Sequence, residues 1–261
     1  MSLTIEEVTA AGAAWVWLPD DAEVVEDAGC TILRLPDYYG FDLSVVSFTP
    51  AGPLPAAVDA VLARARTLGP PVLDWQVLLG GPPGLGDELA ARGGRIKLDL
   101  EILAADLSAG APDLRPPEVP VELRWATDFP TVRDGALVET TGFGGTLPPA
   151  SQLEHAAHRN ARAAAEGRGG TLVAYVGGEP VGTGGVALVD GVARLTGGVV
   201  APSWRGRGVY RAVLGARLAH AAAHGARMAL VKGNPRTSGP ILRRSGFTVF
   251  GQEPVYALPL G

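Results

Sequence analysis

Cysteine occurs once in these 261 residues, which rules out an internal disulfide and any cysteine-rich metal site. Its setting, Gly29-Cys30-Thr31-Ile32-Leu33, suits a buried strand, where burial raises a thiol pKa and no basic neighbour lowers it, so a nucleophilic role is not expected. The four histidines form two helical pairs, His155/His158 and His220/His224, and neither has a third ligand nearby, so no metal site is expected. No apolar stretch is long enough to cross a bilayer. The start carries Glu6 and Glu7 and no basic residue, unlike a secretory leader, so a cytoplasmic protein without a membrane partner is expected. Basic charge is scarce as well. A net charge of −5 and a pI near 5.4 leave no broad basic surface for nucleic acid, while an acidic envelope suits a cationic amine. Two nucleotide fingerprints are also missing: there is no Gly-x-Gly-x-x-Gly opening a βαβ unit and no Gly-x4-Gly-Lys-Ser/Thr.

What is present is ample core material, with 47% apolar residues, and one concentrated motif. Arg205-Gly206-Arg207-Gly208-Val209-Tyr210 lies between an apolar run, residues 192–200, and an apolar-periodic helix expected from Val209 to about His224. A helix starting after Gly208 points unpaired N–H groups and its positive dipole end into that loop, and two glycines keep side chains out of the approach. Arg205, Arg207 and Arg211 add three fixed charges. The combination asks for a di-anion such as a pyrophosphate.

Arg205-x-x-Gly208-x-Tyr210 resembles the coenzyme A loop of the GNAT superfamily of N-acetyltransferases, Arg/Gln-x-x-Gly-x-Gly/Ala, except at its last position. The order downstream is similar too: a strand at 227–231, Asn234, a short helix around 238–244, Gly246-Phe247, then two strands near 248–250 and 255–258. Upstream, 171–176 and 181–189 read as a hairpin through Gly177-Gly178, and Asp190-Gly191 makes a second tight turn. The resemblance implies an α/β (α+β) GNAT fold, a mixed and mostly antiparallel sheet with flanking helices.

Residues 108–120 are too proline-rich to form an element and read as a linker between a first domain, 1–107, and a second, 121–261. Sliding one half along the other at a shift of 152 residues matches Pro50 with Pro202, 60–62 with 212–214, Pro83 with Pro235, Arg92 with Arg244, Gly94 with Gly246 and Glu101 with Glu253. One gapless shift points to two tandem GNAT copies. The first is degenerate: Gly52-Pro53-Leu54-Pro55-Ala56 stands opposite Trp204 to Gly208, without basic residues, and proline lacks the N–H that would hold phosphate.

The resemblance further implies acetyl transfer from acetyl-coenzyme A to a primary amine of a small molecule or peptide, and leaves room for a homodimer. Backbone N–H groups of Arg207, Gly208, Val209 and Tyr210 would hold the pyrophosphate, with Arg205 and Gly206 of the same loop also at the cofactor. The strand edge at Gly198, Val199 and Val200 would pair with the pantetheine, and Asn234 would bond the cofactor or simply make a turn. Acid and base are less legible. Where the family often has an acid tyrosine stands Leu242, and Ala193-Arg194-Leu195-Thr196 carries no carboxylate. The candidates are Glu139 and Tyr256, with Tyr210 ranked lower because it should face the pyrophosphate. Two alternatives stay open: a non-catalytic acyl-coenzyme A binding module, and an aminoacyl transferase of the peptidoglycan kind, which the intact loop and acidic charge disfavour.

Overall fold

The computed structural model describes residues 3–27 and 29–261. In chain order the elements are α1 (Ile5–Ala13), β1 (Glu23–Asp27), β2 (Cys30–Arg34), β3 (Leu43–Phe48), α2 (Leu54–Arg66), β4 (Val72–Gln76), α3 (Leu85–Ala91) and β5 (Arg95–Asp106). After the linker follow β6 (Glu122–Trp125), α4 (Phe129–Phe143), α5 (Ala150–Ala165), β7 (Gly169–Val176), β8 (Glu179–Val189), β9 (Val192–Val200), α6 (Val209–Ala223), β10 (Met228–Gly233), α7 (Ser238–Arg244) and β11 (Thr248–Pro259). The two strands expected after Phe247 are a single long one.

The chain divides into two compact units, and neither is one continuous stretch. The first comprises Ile5–Ile102, Gly233–Ser238 and Phe250–Gly261; the second comprises Leu103–Lys232 and Gly239–Val249, with Leu3 and Thr4. These units do not follow the linear division at 108–120, because β5 passes from one to the other after Ile102 and β11 does so after Val249.

In the first unit the strand order is β1-β2-β3-β4-β11-β5. β3 and β4 are parallel, and β4 and β11 antiparallel, with Tyr256 opposite Trp75. Its core gathers Ile32, Leu43, Val58, Trp75, Leu89 and Leu258. Cys30 is buried there on β2, and burial pushes its thiol up to about 12, as an inert residue requires.

In the second unit the order is β5-β10-β9-β8-β7-β6. The β7–β8 turn is Gly177-Gly178, at φ +58° and +85°, and the β8–β9 turn is Asp190-Gly191, at +50° and +75°. Positive φ at both central residues matches the twist of antiparallel strands, so the sequence closes both turns tightly. Asp128 caps α4 by accepting from the Thr131 N–H at 2.8 Å, and Pro130 sits in its first turn. Helix α6 buries Val209, Val213, Leu214, Leu218 and Ala221 on one face. Among the described residues no helix is long and apolar enough to cross a membrane.

Candidate active site

The ladder between β9 and β10 is parallel and runs from Val192↔Met228 to Leu195↔Val231, then stops. Strand β9 continues to Val200 on the other side, paired with β8. Among the described residues, 196–200 therefore present one edge without a strand partner. The Ala201 N–H goes to Val181 on β8 at 2.9 Å, so by alternation the Val200 N–H faces the open edge.

A β-bulge marks this segment. Thr183 pairs with Val199 and Gly185 with Thr196, so Gly197 and Gly198 share the single partner position of Gly184. Gly197 has φ +57°. A Cβ on Gly197 would lie 2.9 Å from Glu139 Oε1, while a Cβ on Gly198 would lie 3.3 Å from both the Tyr210 hydroxyl and Arg217 Nη2. Glycines here leave room for ionisable groups on the two faces of the strand.

Glu139 reaches the bulge because α4 lies close to the sheet. Gly135 meets Val173 and Thr183, and Gly142 meets Val199 so closely that a side chain at either would push the helix away. The carboxyl of the half-buried Glu139 is desolvated, and burial pushes it up to about 7. A carboxylate poised near neutrality beside an open strand edge has the properties of a general base.

On the opposite face stands Arg217, 2% exposed. It donates to the carbonyls of Gly185 at 3.1 Å, Thr196 at 3.2 Å and Val213 at 3.4 Å, and also bonds the Tyr210 hydroxyl. Its guanidinium occupies the space that a Cβ on Gly184 would take. Sequence reasoning missed Arg217, and it turned Tyr210 the wrong way: the side chain points inward beneath the bulge. The readable signal was the run of glycines in the two facing strands.

Beyond β9, the loop carries Trp204 with the Arg207 guanidinium 4.7 Å over its ring, and Arg205 Nε donates to the Val200 carbonyl at 3.2 Å. Gly208 is the N-cap of α6 at φ +84° and supplies no side-chain cap, leaving the first-turn amides without intrahelical partners. The linker crosses here. The Glu118 N–H donates to the Arg207 carbonyl at 3.0 Å, Arg211 Nε donates to the Arg115 carbonyl at 3.3 Å, and Pro117 Cα lies 2.7 Å from where a Cβ on Gly208 would be. Arg211 Nη2 is buried with no partner, 2.8 Å from that same point. An orphaned cationic donor beside uncapped amides fits an anionic group, as coenzyme A phosphate requires.

Two sequence candidates belong to the first unit. Tyr256 belongs to the first unit, packed against its core with its hydroxyl 3.0 Å from where a Cβ on Gly86 would be. Asn234 uses its Oδ1 to accept from the Arg236 N–H at 2.9 Å, closing a turn, which is the turn role the sequence allowed it. Leu242 is fully buried with Leu214 and Phe247 and faces no cleft. His220 bonds the Gly167 carbonyl and His224 terminates α6; no metal-ligating cluster occurs among the described residues.

Residues 138–239 match the model of the Acetyltransferase (GNAT) family. None of the curated proteins compared matches. Among solved structures, the chain resembles a GCN5-related N-acetyltransferase from Kribbella flavida, with a TM-score of 0.67 and 20% identity over 100% of this chain and 97% of that one. It also resembles a GCN5-related N-acetyltransferase from Sphaerobacter thermophilus (0.64, 19%, 89% of this chain and 77% of that one). A tandem GNAT protein from the clavulanic acid biosynthesis pathway is similar as well (0.61, 18%, 98% and 88%).

Proposed function

We propose that this chain, which belongs to the GNAT acyltransferases through residues 138–239, transfers an acetyl group from acetyl-coenzyme A to a primary amine of a small molecule or peptide. The observation that carries this reading is the open edge of β9, with the Glu139 carboxylate at its bulge and the uncapped helix and arginines at its end. Amides of Arg207 to Tyr210, with Arg205, Arg207 and Arg211, would hold the pyrophosphate; the edge at Gly198 to Val200 would bond the pantetheine as an added strand. The bound cofactor supplies a thioester carbonyl for attack. Glu139 takes the proton from the attacking nitrogen, and the Val200 N–H bonds the oxygen as charge develops on it. The net charge of −5 favours a cationic acceptor over nucleic acid.

Buried Leu242, in the place of the family's usual acid, favours a second reading, a non-catalytic acyl-coenzyme A binding module. Incubation with acetyl-coenzyme A and a panel of amines, following thiol release, separates the two. Coenzyme binding without transfer to any amine would leave only the second.

A further inference from the structure

We propose that Tyr210, hydrogen-bonded to the buried guanidinium of Arg217, is the acid that protonates the departing sulfur of the thioester, with Arg217 as its positioning residue. The inference rests on the acetyl-transfer reading above.

Among the described residues, Arg217 bonds three backbone carbonyls and one phenol, and no carboxylate. A buried cation so placed is under-compensated, and an anion forming beside it is stabilised. The adjacent group able to become an anion by losing a proton is the Tyr210 phenol. Both groups stand at Gly198, under the edge along which the pantetheine arm would lie, and glycines at 184 and 198 clear their space. Of the charged groups at the bulge, Glu139 comes from α4 on the far face of β9, and Arg217 from α6 itself.

The first unit provides an internal control. At a shift of 152 residues, Gly184, Gly197, Gly198, Tyr210 and Arg217 correspond to Ile32, Val45, Val46, Val58 and Ala65. Strand β3 keeps a register shift at the corresponding place, Thr31↔Ser47 followed by Ile32↔Val45, yet Ile32, Val45, Val58 and Ala65 are buried and apolar. A bulge in this position needs no arginine, so the charge serves something other than folding.

The step balances. The amine nitrogen bonds the carbonyl carbon and gives its proton to Glu139; the C–S bond breaks with its electron pair on sulfur; the phenolic proton passes to sulfur, leaving tyrosinate against Arg217. After release, solvent returns a proton to Tyr210 and takes one from Glu139.

The test is Tyr210→Phe, with coenzyme A affinity measured by calorimetry and kcat with the best amine of the panel. The expected result is unchanged affinity and a loss in kcat of about a hundredfold or more. A loss under about threefold overturns the acid role while leaving acetyl transfer standing; a wild-type protein that transfers to no amine overturns both. Fluorotyrosine at position 210 keeps the ring's shape with a more acidic phenol. It is expected to bring a falling alkaline limb of kcat into reach and to shift its fluorine resonance when coenzyme A is added. An unmoved profile and resonance would refute the proposal even if Tyr210→Phe fails to fold. Arg217→Lys should lower kcat with coenzyme A affinity intact, a split that mere loss of packing would not produce.

Discussion

Helices α2 and α6 occupy the same place in two similar runs of elements: strand, turn, long helix, strand, short helix, long strand. They begin in opposite ways. Helix α6 starts at Gly208 in left-handed conformation, with arginines before and after it. Helix α2 starts at Pro53, φ −55°, with Pro55 in its first turn, and beside it lies a cavity of about 270 Å³ lined by Cys30, Ile32, Pro53 and Val61, with Asp27 and Arg64. Both helices bury an apolar stripe and so do the same structural work. On the proposed reading, the difference separates what this architecture needs to fold from what it would need to bind an anion: the stripe belongs to the first, while glycine-opened amides, fixed guanidiniums and ionisable groups at the bulge would belong to the second. That the halves descend from a tandem duplication, with the first degenerate, is our proposal for this pattern.

The contrast can be broken experimentally, and the largest effect is expected at a residue without a counterpart. Glu139 sits on α4, which has no equivalent at that shift in the first half. Glu139→Gln should lower kcat by about 10²- to 10⁴-fold, and wild-type kcat/KM should rise with pH to a plateau above about 7 as the carboxyl ionises. A flat profile between pH 5 and 9 would remove the base. Next comes Gly208→Val, which places a branched side chain at positive φ against Pro117 and Arg211, and should weaken coenzyme A about a hundredfold or more in calorimetry. Ala56→Val, the matching change in the first unit, should leave affinity unchanged, and titration should find one site per chain. Two comparable sites would erase the distinction. Arg205→Ala and Arg207→Ala should each cost about 1–3 kcal/mol of coenzyme A binding, less at high salt.

The smallest effect is on stability. The Glu139 carboxyl titrates near 7 when folded and near 4.5 when unfolded, so between those values the folded protein holds the extra proton. Its contribution is complete below about 4.5 and is lost as pH rises through about 7. Melting curves of Glu139→Gln should accordingly fall less from pH 5 to pH 8 than those of wild type.

Much of this was readable from local chemistry. Positive-φ dipeptides fixed the hairpins, and the apolar period of α6 with the arginine–glycine run before it located the loop. Glu139 was a candidate from the sequence, but its place at the bulge comes from Gly135 and Gly142 bringing α4 near β9, a tertiary fact. Arg217 looked like any charge on a helix, because nothing nearby in sequence shows that Gly184 and Gly198 clear space for it from two other strands. Tyr256 was placed on a short last strand, whereas β11 is one long strand that passes into the first unit after Val249, and no periodicity reveals which partner a strand chooses.

The linker has a thermodynamic meaning beyond connecting domains. Pro116 and Pro117 are stiff, and Pro117 rests on Gly208, the most flexible kind of residue, at the point where the phosphate would be gripped. A loop so backed is already ordered before its ligand arrives, and the entropy of ordering it is lost during folding rather than at each encounter. Loosening the strap with Pro117→Gly should therefore show up in calorimetry as a more unfavourable binding entropy with the enthalpy little changed, so the segment that looks least structured in the sequence helps to set how firmly the cofactor is held.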